Sequence, residues 1–302
     1  MRSLWCIAIM SLCMCIWGCT DDKKCYDEYK DMIVNGKGYD EVRERTKSGK
    51  YIYALTDSRD MYSYNDIIIR YDINKDVIET YGAGVAINGI CADEKYVYYI
   101  NTKHNGNNDS YVSKINKEVF ETTTKKNVDC IVSNEYKNIV LTHIEICDDN
   151  LYAFGFDYNS KGVYSKMYVI NKKNLTCIKE QDFSDYIIDV TDACKVKNKL
   201  YIAGRSARKL DDDNYEEIDN KYIYELDFLS NDSNNNIRKI YIGDITYEIK
   251  YDEGNIYVSN YDEVLDEGNI VYILNNKGKV VKKCRMNNKV RSIEDVTNKD
   301  IE

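Results

Sequence analysis

The sequence predicts an all-β fold made of five tandem copies of one four-stranded unit, and three observations predict it. The first is a repeated strand with a central tyrosine: YIYAL at 51–55, YVYYI at 96–100, LYAFG at 151–155, LYIAG at 200–204 and IYVSN at 256–260. These runs align Tyr53, Tyr98, Tyr152, Tyr201 and Tyr257 at spacings of 45, 54, 49 and 56 residues. The second is a later strand-like run ending in Asp or Asn, at Asp72, Asn116, Asn171, Asp227 and Asn275, spaced by 44, 55, 56 and 48. Two markers that drift together along the chain define a register. The third is composition: 302 residues hold no proline, and 29 tyrosines against 5 phenylalanines. Average usage of roughly 5% would give about fifteen prolines. Short strands joined by Asn, Asp and Gly turns need none, and proline inside a sheet removes ladder hydrogen bonds.

Each unit reads in the same order. A run before the tyrosine (INGICAD, IEICDDN, TDACKVK, TYEIKYD) is the first strand, the tyrosine run the second, and the run ending in Asx the third. A run after a polar turn, such as VIETYG, LTCIKE or VVKKCRM, is the fourth. Asx side chains bond the backbone two residues on and, like Gly, tolerate left-handed dihedrals, so NKD, NKKN and NNKGK mark turns. Tandem four-stranded antiparallel units are the signature of propeller blades, which makes the predicted fold a five-bladed β-propeller. The fifth unit ends near Met286, yet KVRSIEDV at 289–296 resembles another first strand, while only the charged DEVRERTK at 40–47 precedes Tyr53. The expectation is a one-plus-three closure in which residues 290–296 complete the first blade beside residues 51–81, removing the sheet edge. The alternative is a weak strand at 40–47 and an incomplete six-bladed ring that stops at Glu302. The propeller domain spans 39–302.

Ahead of it, MRSLWCIAIMSLCMCIWGC at 1–19 has a basic Arg2, an apolar run from Leu4 to Trp17 and a small Gly18 before Cys19. That is the layout of an export signal, and the run is short for a membrane span. Ile16-Trp17-Gly18-Cys19 resembles a bacterial lipobox. The resemblance implies a lipoprotein signal peptide at 1–18, diacylation of Cys19 and a polar tether at 19–38, which places the chain on the extracytoplasmic face of the cell membrane. An uncleaved anchor and ordinary secretion are the alternatives.

The formal charge of −9 is spread along the chain, with no Lys/Arg block long enough to track phosphates, which argues against nucleic acid as a partner. Of eleven cysteines, Cys6, Cys13 and Cys15 leave with the signal and Cys19 takes the lipid; the remaining seven cannot all pair internally. No C-x-x-C occurs, so neither a zinc ribbon nor a thioredoxin-type centre is expected, and no metal site is assigned. Cys91, Cys147 and Cys194 align at one first-strand position that holds Ile249 in the fifth unit, and Cys177 and Cys284 fall in fourth strands. A position shared by Cys and Ile reads as a buried apolar site. The tyrosine marker reads as a ring packed between adjacent blades with its hydroxyl at a polar rim.

Clipped apolar-Tyr strand pairs with Asx turns across residues 50–296 resemble the bacterial YVTN and quinoprotein-like repeat propellers, a generic likeness that implies the propeller fold. Tryptophan occurs only at Trp5 and Trp17, inside the signal, so the Trp motifs of quinone-dependent dehydrogenases, sialidases, WD40 and kelch propellers have no residues here. His104 and His143 are the two histidines, too few for a histidine-based zinc or triad site. Gly82-Ala83-Gly84 lacks the third glycine of a dinucleotide fingerprint, and no Walker A or G-x-S-x-G run occurs, so no cofactor is assigned. What remains is carboxylate. First strands line a propeller's channel, and Glu145, Asp192 and Glu248 lie in them, with Glu294 or Asp295 as further candidates. Converging acids serve glycoside hydrolysis when one is protonated and another ionised, or hold a cation; isolated strand acids are otherwise solvated or paired. The acidic DDDNYEEID at 211–219 lacks the EF-hand spacing and reads as a solvated excursion.

Two functions follow. The leading one is a non-enzymatic, lipid-anchored binding or scaffolding protein that meets a protein or glycan on the face carrying the second-to-third-strand loops at 102–110, 157–166, 205–221 and 261–269. The alternative is a carbohydrate hydrolase or lyase using Glu145, Asp192 and Glu248.

Overall fold

In a computed structural model of the chain, the described residues are Lys30, 42–56, 66–84, 87–104, 108–118, 131–133, 135–159, 162–184, 189–209, 215–218, 221–227, 237–261, 267–286, 290 and 293. They form five four-stranded antiparallel blades in chain order. Blade 1 comprises β1 (Val42–Ser48), β2 (Tyr51–Thr56), β3 (Asp66–Asp72) and β4 (Val77–Gly84). Blade 2 has β5 (Ile87–Ala92), β6 (Tyr96–His104), β7 (Asn108–Asn116) and β8 (Ile131–Val132). Blade 3 has β9 (Val140–Cys147), β10 (Asn150–Asn159), β11 (Gly162–Asn171) and β12 (Cys177–Asp182). Blade 4 has β13 (Asp189–Val196), β14 (Lys199–Lys209), β16 (Tyr222–Asp227) and β17 (Ile237–Tyr241), with β15 (Tyr215–Ile218) paired onto the extension of β14. Blade 5 has β18 (Ile249–Asp252), β19 (Asn255–Ser259), β20 (Ile270–Asn275) and β21 (Val280–Arg285). The first strands are innermost, since β1 packs on β5, β5 on β9, β9 on β13 and β13 on β18. The chain is therefore a five-bladed β-propeller.

Both sequence markers hold one register in every blade. The Asx residue pairs with the residue two before the marker tyrosine: Asp72 with Tyr51, Asn116 with Tyr96, Asn171 with Asn150, Asp227 with Lys199 and Asn275 with Asn255. The Asx side chain then accepts backbone N–H groups of its own turn. Asp72 Oδ1 takes Asn74 and Lys75 at 3.0 and 3.1 Å, and Asn171 Oδ1 takes Lys173 at 2.9 Å. Asn275 Oδ1 takes Lys277 and Lys279 at 3.0 and 3.1 Å. First and second strands join through two-residue turns whose leading residues have positive φ, at Gly49, Asp148, Lys197 and Glu253, the geometry that matches strand twist.

The middle strands are apolar on both faces because a blade lies against each. Tyr53, Leu55 and Ile68 of blade 1 join Ile87, Ile90 and Tyr99 of blade 2 in one core. Tyr98 and Val112 join Leu141 and Tyr168 across the 2/3 interface; Tyr152 and Phe154 join Ile202 and Tyr224 across 3/4; Tyr201 and Ile223 join Ile256 and Tyr272 across 4/5. Four of the marker tyrosines thus pack between blades, as their repetition predicts, whereas Tyr257 lies against residues of blade 5 and those just after it. Tyr98 and Tyr201 turn their hydroxyls to Asp93 and Glu225 at 3.1 and 2.6 Å. Outer edges in blades 3 and 5 are broken by bulges that expose Ile178 and Val281, a device that blunts strand pairing with other chains.

Three expectations are corrected. The first blade is completed by β1, in register from Val42 opposite Thr56 to Ser48 opposite Tyr51, and not by residues 290–296 in a one-plus-three closure. The charged sequence VRERTKS can form this inner strand against β5 because strand pairing uses the backbone. The cysteine alignment is also shifted. Cys91 and Cys194 face Tyr98 and Tyr201, but Glu145 faces Tyr152 and Lys250 faces Tyr257, while Cys147 lies opposite Asn150. The position opposite the tyrosine is thus half polar, while Cys91, Cys147 and Ile249 are each buried as expected. Cys177 and Cys284 do lie in fourth strands, and Cys177 is exposed. Thirdly, much of the expected loops is strand: β6 and β7 pair out to His104 and Asn108, and β10 and β11 to Asn159 and Gly162. The signal, Cys19, the tether apart from Lys30, Glu294, Asp295 and the acidic run at 211–214 lie outside the described residues.

Candidate functional site

The first strands meet around the ring's axis, and those of blades 1 to 4 each send a polar side chain to the backbone of the next blade. Ser48 Oγ donates to the Asp93 carbonyl at 2.8 Å, and Asn88 Nδ2 to the Leu141 carbonyl at 3.0 Å. Thr142 Oγ1 reaches the Val190 carbonyl at 3.4 Å, and Thr191 Oγ1 the Tyr247 carbonyl at 2.5 Å. Small hydroxyls and a carboxamide suit this task because inner strands crowd. A Cβ added to Gly89 would come within 2.9 Å of Ile100 Cδ1 and 3.3 Å of the Thr142 carbonyl.

The sequence-derived acids sit within this belt. Asp192 follows a bulge in β13; its Oδ2 accepts the Ile249 N–H of blade 5 and its Oδ1 the Ala193 N–H, both at 2.8 Å. Buried His143 of blade 3 places Nε2 3.8 Å from Asp192 Oδ1, so one carboxylate addresses three blades. Glu145 lies in β9 opposite Tyr152, facing blade 4, and its charge together with that of Asp192 adds to burial in pushing the Cys194 thiol well up. Glu248 precedes β18 and its Oε2 accepts the Ile293 N–H at 2.5 Å. Asp192 and Glu145 therefore flank Cys194, whereas Glu248 is turned to a different segment. N–H donors on a carboxylate favour its ionised form, the opposite of what a general acid needs. Among the described residues no three His, Cys, Asp or Glu side chains are grouped as a metal-ligand set.

A second ring of ties, which the sequence reading missed, runs at the rim. The third-strand residue opposite the marker tyrosine is Arg70, Lys114, Val169, Glu225 or Ile273 in blades 1 to 5. Arg70, fully buried, is paired with Glu79 and donates to the Lys117 carbonyl in the Asx turn of blade 2 at 2.6 Å. Lys114 Nζ donates to the Lys172 and Lys173 carbonyls in the Asx turn of blade 3 at 3.1 and 2.5 Å. In blade 4, Glu225 holds Arg238, whose guanidinium reaches the Lys277 carbonyl in the Asx turn of blade 5 at 2.9 Å. The signal was present: a charged residue two before the Asx in an otherwise apolar strand.

Charges at this rim are shifted for stated reasons. Burial pushes the Glu225 carboxyl up, but hydrogen bonds from Arg238, Lys199 and Tyr201 outweigh it and leave it below its ordinary value. Burial lowers the Lys117 amine to about 8 against partial support from Asp93, and the ammonium lies 5.1 Å from the Tyr53 ring centre. A cation over an aromatic face gains more as the site is desolvated.

No known family's sequence profile matches this chain, and no curated protein sequence matches it. Solved structures resemble it in shape. Kuenenia stuttgartiensis hydrazine synthase is 10% identical over 80% of this chain and 74% of that one, with a TM-score of 0.52. The β-propeller domain of the Trilobed protease from Pyrococcus furiosus is 11% identical over 82% of each chain, at 0.47. Pyrococcus horikoshii acylaminoacyl peptidase is 12% identical over 80% of this chain and 45% of that one, at 0.45. At these identities the likeness is one of fold and transfers no activity.

Proposed function

We propose that this propeller is a lipid-anchored extracytoplasmic binding or scaffolding protein without catalytic activity, tethered through Cys19 and meeting a protein or glycan on one face. The observation that carries this reading is the engagement of the channel carboxylates in ring construction: Asp192 holds Ile249 and Glu248 holds Ile293 through backbone N–H groups. The β6–β7, β10–β11 and β14–β15 hairpins extend beyond their blades' common register, and all connect on the same side of the ring because they occupy the same place in the repeat. Three neighbouring hairpins of this kind offer a contour for recognition on one face, which suits loops borne on a scaffold.

The test is cross-linking of intact envelopes, comparing the full chain with one whose three hairpins are trimmed to the length of β2–β3. Loss of partners with retained folding supports the reading; recovery of the same partners overturns it. Turnover of a glycan that Asp192→Asn abolishes would replace it with the hydrolase alternative. Labelling by a palmitate analogue that Cys19→Ala removes is the expected result for the anchor.

A further inference from the structure

The acidic balance of the chain is not shared by its last blade. From Ile270 to Met286, across β20, its Asx turn and β21, five Lys or Arg residues occur and no Asp or Glu. Lys277 and Lys279 lie in the turn, and Lys282, Lys283 and Arg285 on β21, the outermost strand of blade 5; all five are exposed. Val281 is exposed among them at the bulge. On blades 1 to 4, by contrast, Lys50 pairs with Asp72 at 2.9 Å, Lys166 with Glu180 at 2.6 Å, Lys172 with Asp93 at 3.2 Å and Lys199 with Glu225 at 2.6 Å. Among the described residues, Lys277, Lys279 and Arg285 pair with no carboxylate.

The place where Lys30 meets the propeller indicates what this edge faces. Lys30 pairs with Asp76 at 2.5 Å and lies over the Tyr71 ring. Asp76 belongs to the Asx turn between β3 and β4, as Lys277 and Lys279 belong to the one between β20 and β21. Turns that join third to fourth strands lie on one face of the ring, opposite the hairpins that join second to third strands. Lys30 comes eleven residues after Cys19, so even a fully extended chain keeps Cys19 within about 40 Å of that turn. A lipid on Cys19 therefore holds the Asx-turn face near the bilayer.

We propose that the outer edge of blade 5, from Lys277 to Arg285, rests on the anionic phospholipid headgroups of the membrane that holds the anchor. The propeller then stands with its Asx-turn face towards the bilayer and its long hairpins away from it. The proposal rests on the lipid-anchored reading and adds an orientation to it. Exposed cations concentrated on one strand and its turn are drawn to an anionic surface over roughly a Debye length, while the acidic body of the chain is repelled by it, so the charge distribution selects this edge. Val281 supplies an apolar residue of the kind that peripheral contacts bury at the headgroup boundary. A soluble anionic polymer would meet the same charges, but it would not account for their lying on the face that Lys30 reaches.

Lysine acetylation of the full chain on vesicles, read residue by residue by mass spectrometry, tests this. The vesicles are phosphatidylcholine alone or phosphatidylcholine with about 30% phosphatidylglycerol. Lys277, Lys279 and Lys282 are expected to react at least about fivefold more slowly on the anionic vesicles than on the neutral ones, and the protection to vanish at about 0.5 M salt. Lys137, exposed on the hairpin face between β8 and β9, should react equally on both. Lys279→Glu combined with Lys282→Glu should return Lys277 to its rate on neutral vesicles. Equal rates on the two compositions, or equal protection of Lys137, overturn the proposal, as does protection of Lys277 by soluble polyphosphate but not by the vesicles. Flotation with neutral vesicles reports the anchor separately: its absence strikes the anchor alone, and protection on anionic vesicles still decides the edge.

Discussion

The 4/5 interface and the 5/1 seam use the same blade 5, yet its two faces meet their neighbours in different ways. Against blade 4 it offers Ile256, Val258 and Tyr272 to a continuous core that includes Tyr201 and Ile240, with Arg238 clasping its Asx turn at the rim and Asp192 bonded to Ile249 near the axis. Against the seam it offers half-buried Tyr257 and a cluster closed by its own following residues. The difference teaches that the 4/5 joint is made at three radii, by the belt, the apolar middle and the rim clasp, whereas among the described residues the other face of blade 5 shows only an apolar cluster.

The largest effect should come from emptying a fused core. Tyr201→Ala removes a side chain with no exposure and is expected to cost about 3–5 kcal/mol in urea unfolding, as buried aromatic deletions do. Tyr257→Ala, at the equivalent position on the seam, should cost about 1 kcal/mol, within the usual range for a partly exposed site. Equal losses would erase the distinction between the two faces.

The rim clasp comes next. Glu225→Ala strips Arg238, Lys199 and Tyr201 of their shared acceptor and should cost about 1.5–3 kcal/mol, the range for hydrogen bonds to a charged group. Its pH signature has a defined sign. A carboxyl held below its ordinary 4.5 stabilises the fold above that pH and loses its contribution as pH falls through the depressed value. Stability measured from pH 6 to 3 should therefore fall more steeply for the parent chain than for Glu225→Ala.

Lys117 gives a smaller effect of opposite sense. Its amine titrates near 8 in the folded chain against an ordinary 10.5, so the unfolded chain binds the extra proton between those values and this group's contribution to stability rises with pH. Buried thiols and tyrosines, pushed up by the same cores, act the other way, so the measurable quantity is the difference between the parent and Lys117→Met. That difference should move in the parent's favour from pH 7.5 to 9.5. The smallest effect is expected at the exposed bulge: Ile178→Thr should stay within about 0.5 kcal/mol of the parent.

How much of this was legible depends on what each feature is made of. The tyrosine and Asx markers fixed strand order, blade number and turn chemistry, because both depend on local side-chain roles that repeat. The inner strand of blade 1 was obscured by its charges: hydrophobic pattern reports burial, whereas strand pairing runs through the backbone, and β1 pairs with β2 along its whole length. The cysteine alignment failed for a countable reason. Two-residue turns separate each marker tyrosine from its inner-strand partner by seven positions, which gives Cys91, Glu145, Cys194 and Lys250, whereas matching residue type gave Cys147 and Ile249. For the channel acids, the sequence located Asp192 and Glu145 near the axis but could not show that Asp192 spans three blades. Such bonds run between units about 50 residues apart, and a repeat motif carries no record of what it touches next door.

The belt and clasp bonds run forward along the chain, while Lys172 and Lys195 reach back to Asp93 and Asp148 of the preceding blade. Ser48, Asn88, Thr142 and Thr191 each reach into the following blade, as do Arg70, Lys114 and Arg238. A joint of that kind is head-to-tail, with a tongue on one unit and a socket on the next, and a head-to-tail joint has no intrinsic stopping point. Left uncovered, the last tongue face would be an invitation to the first blade of another molecule and to linear polymers. Met286 and Val290 pack on that side of blade 5, so residues following its last strand already cover part of the surface a further unit would need.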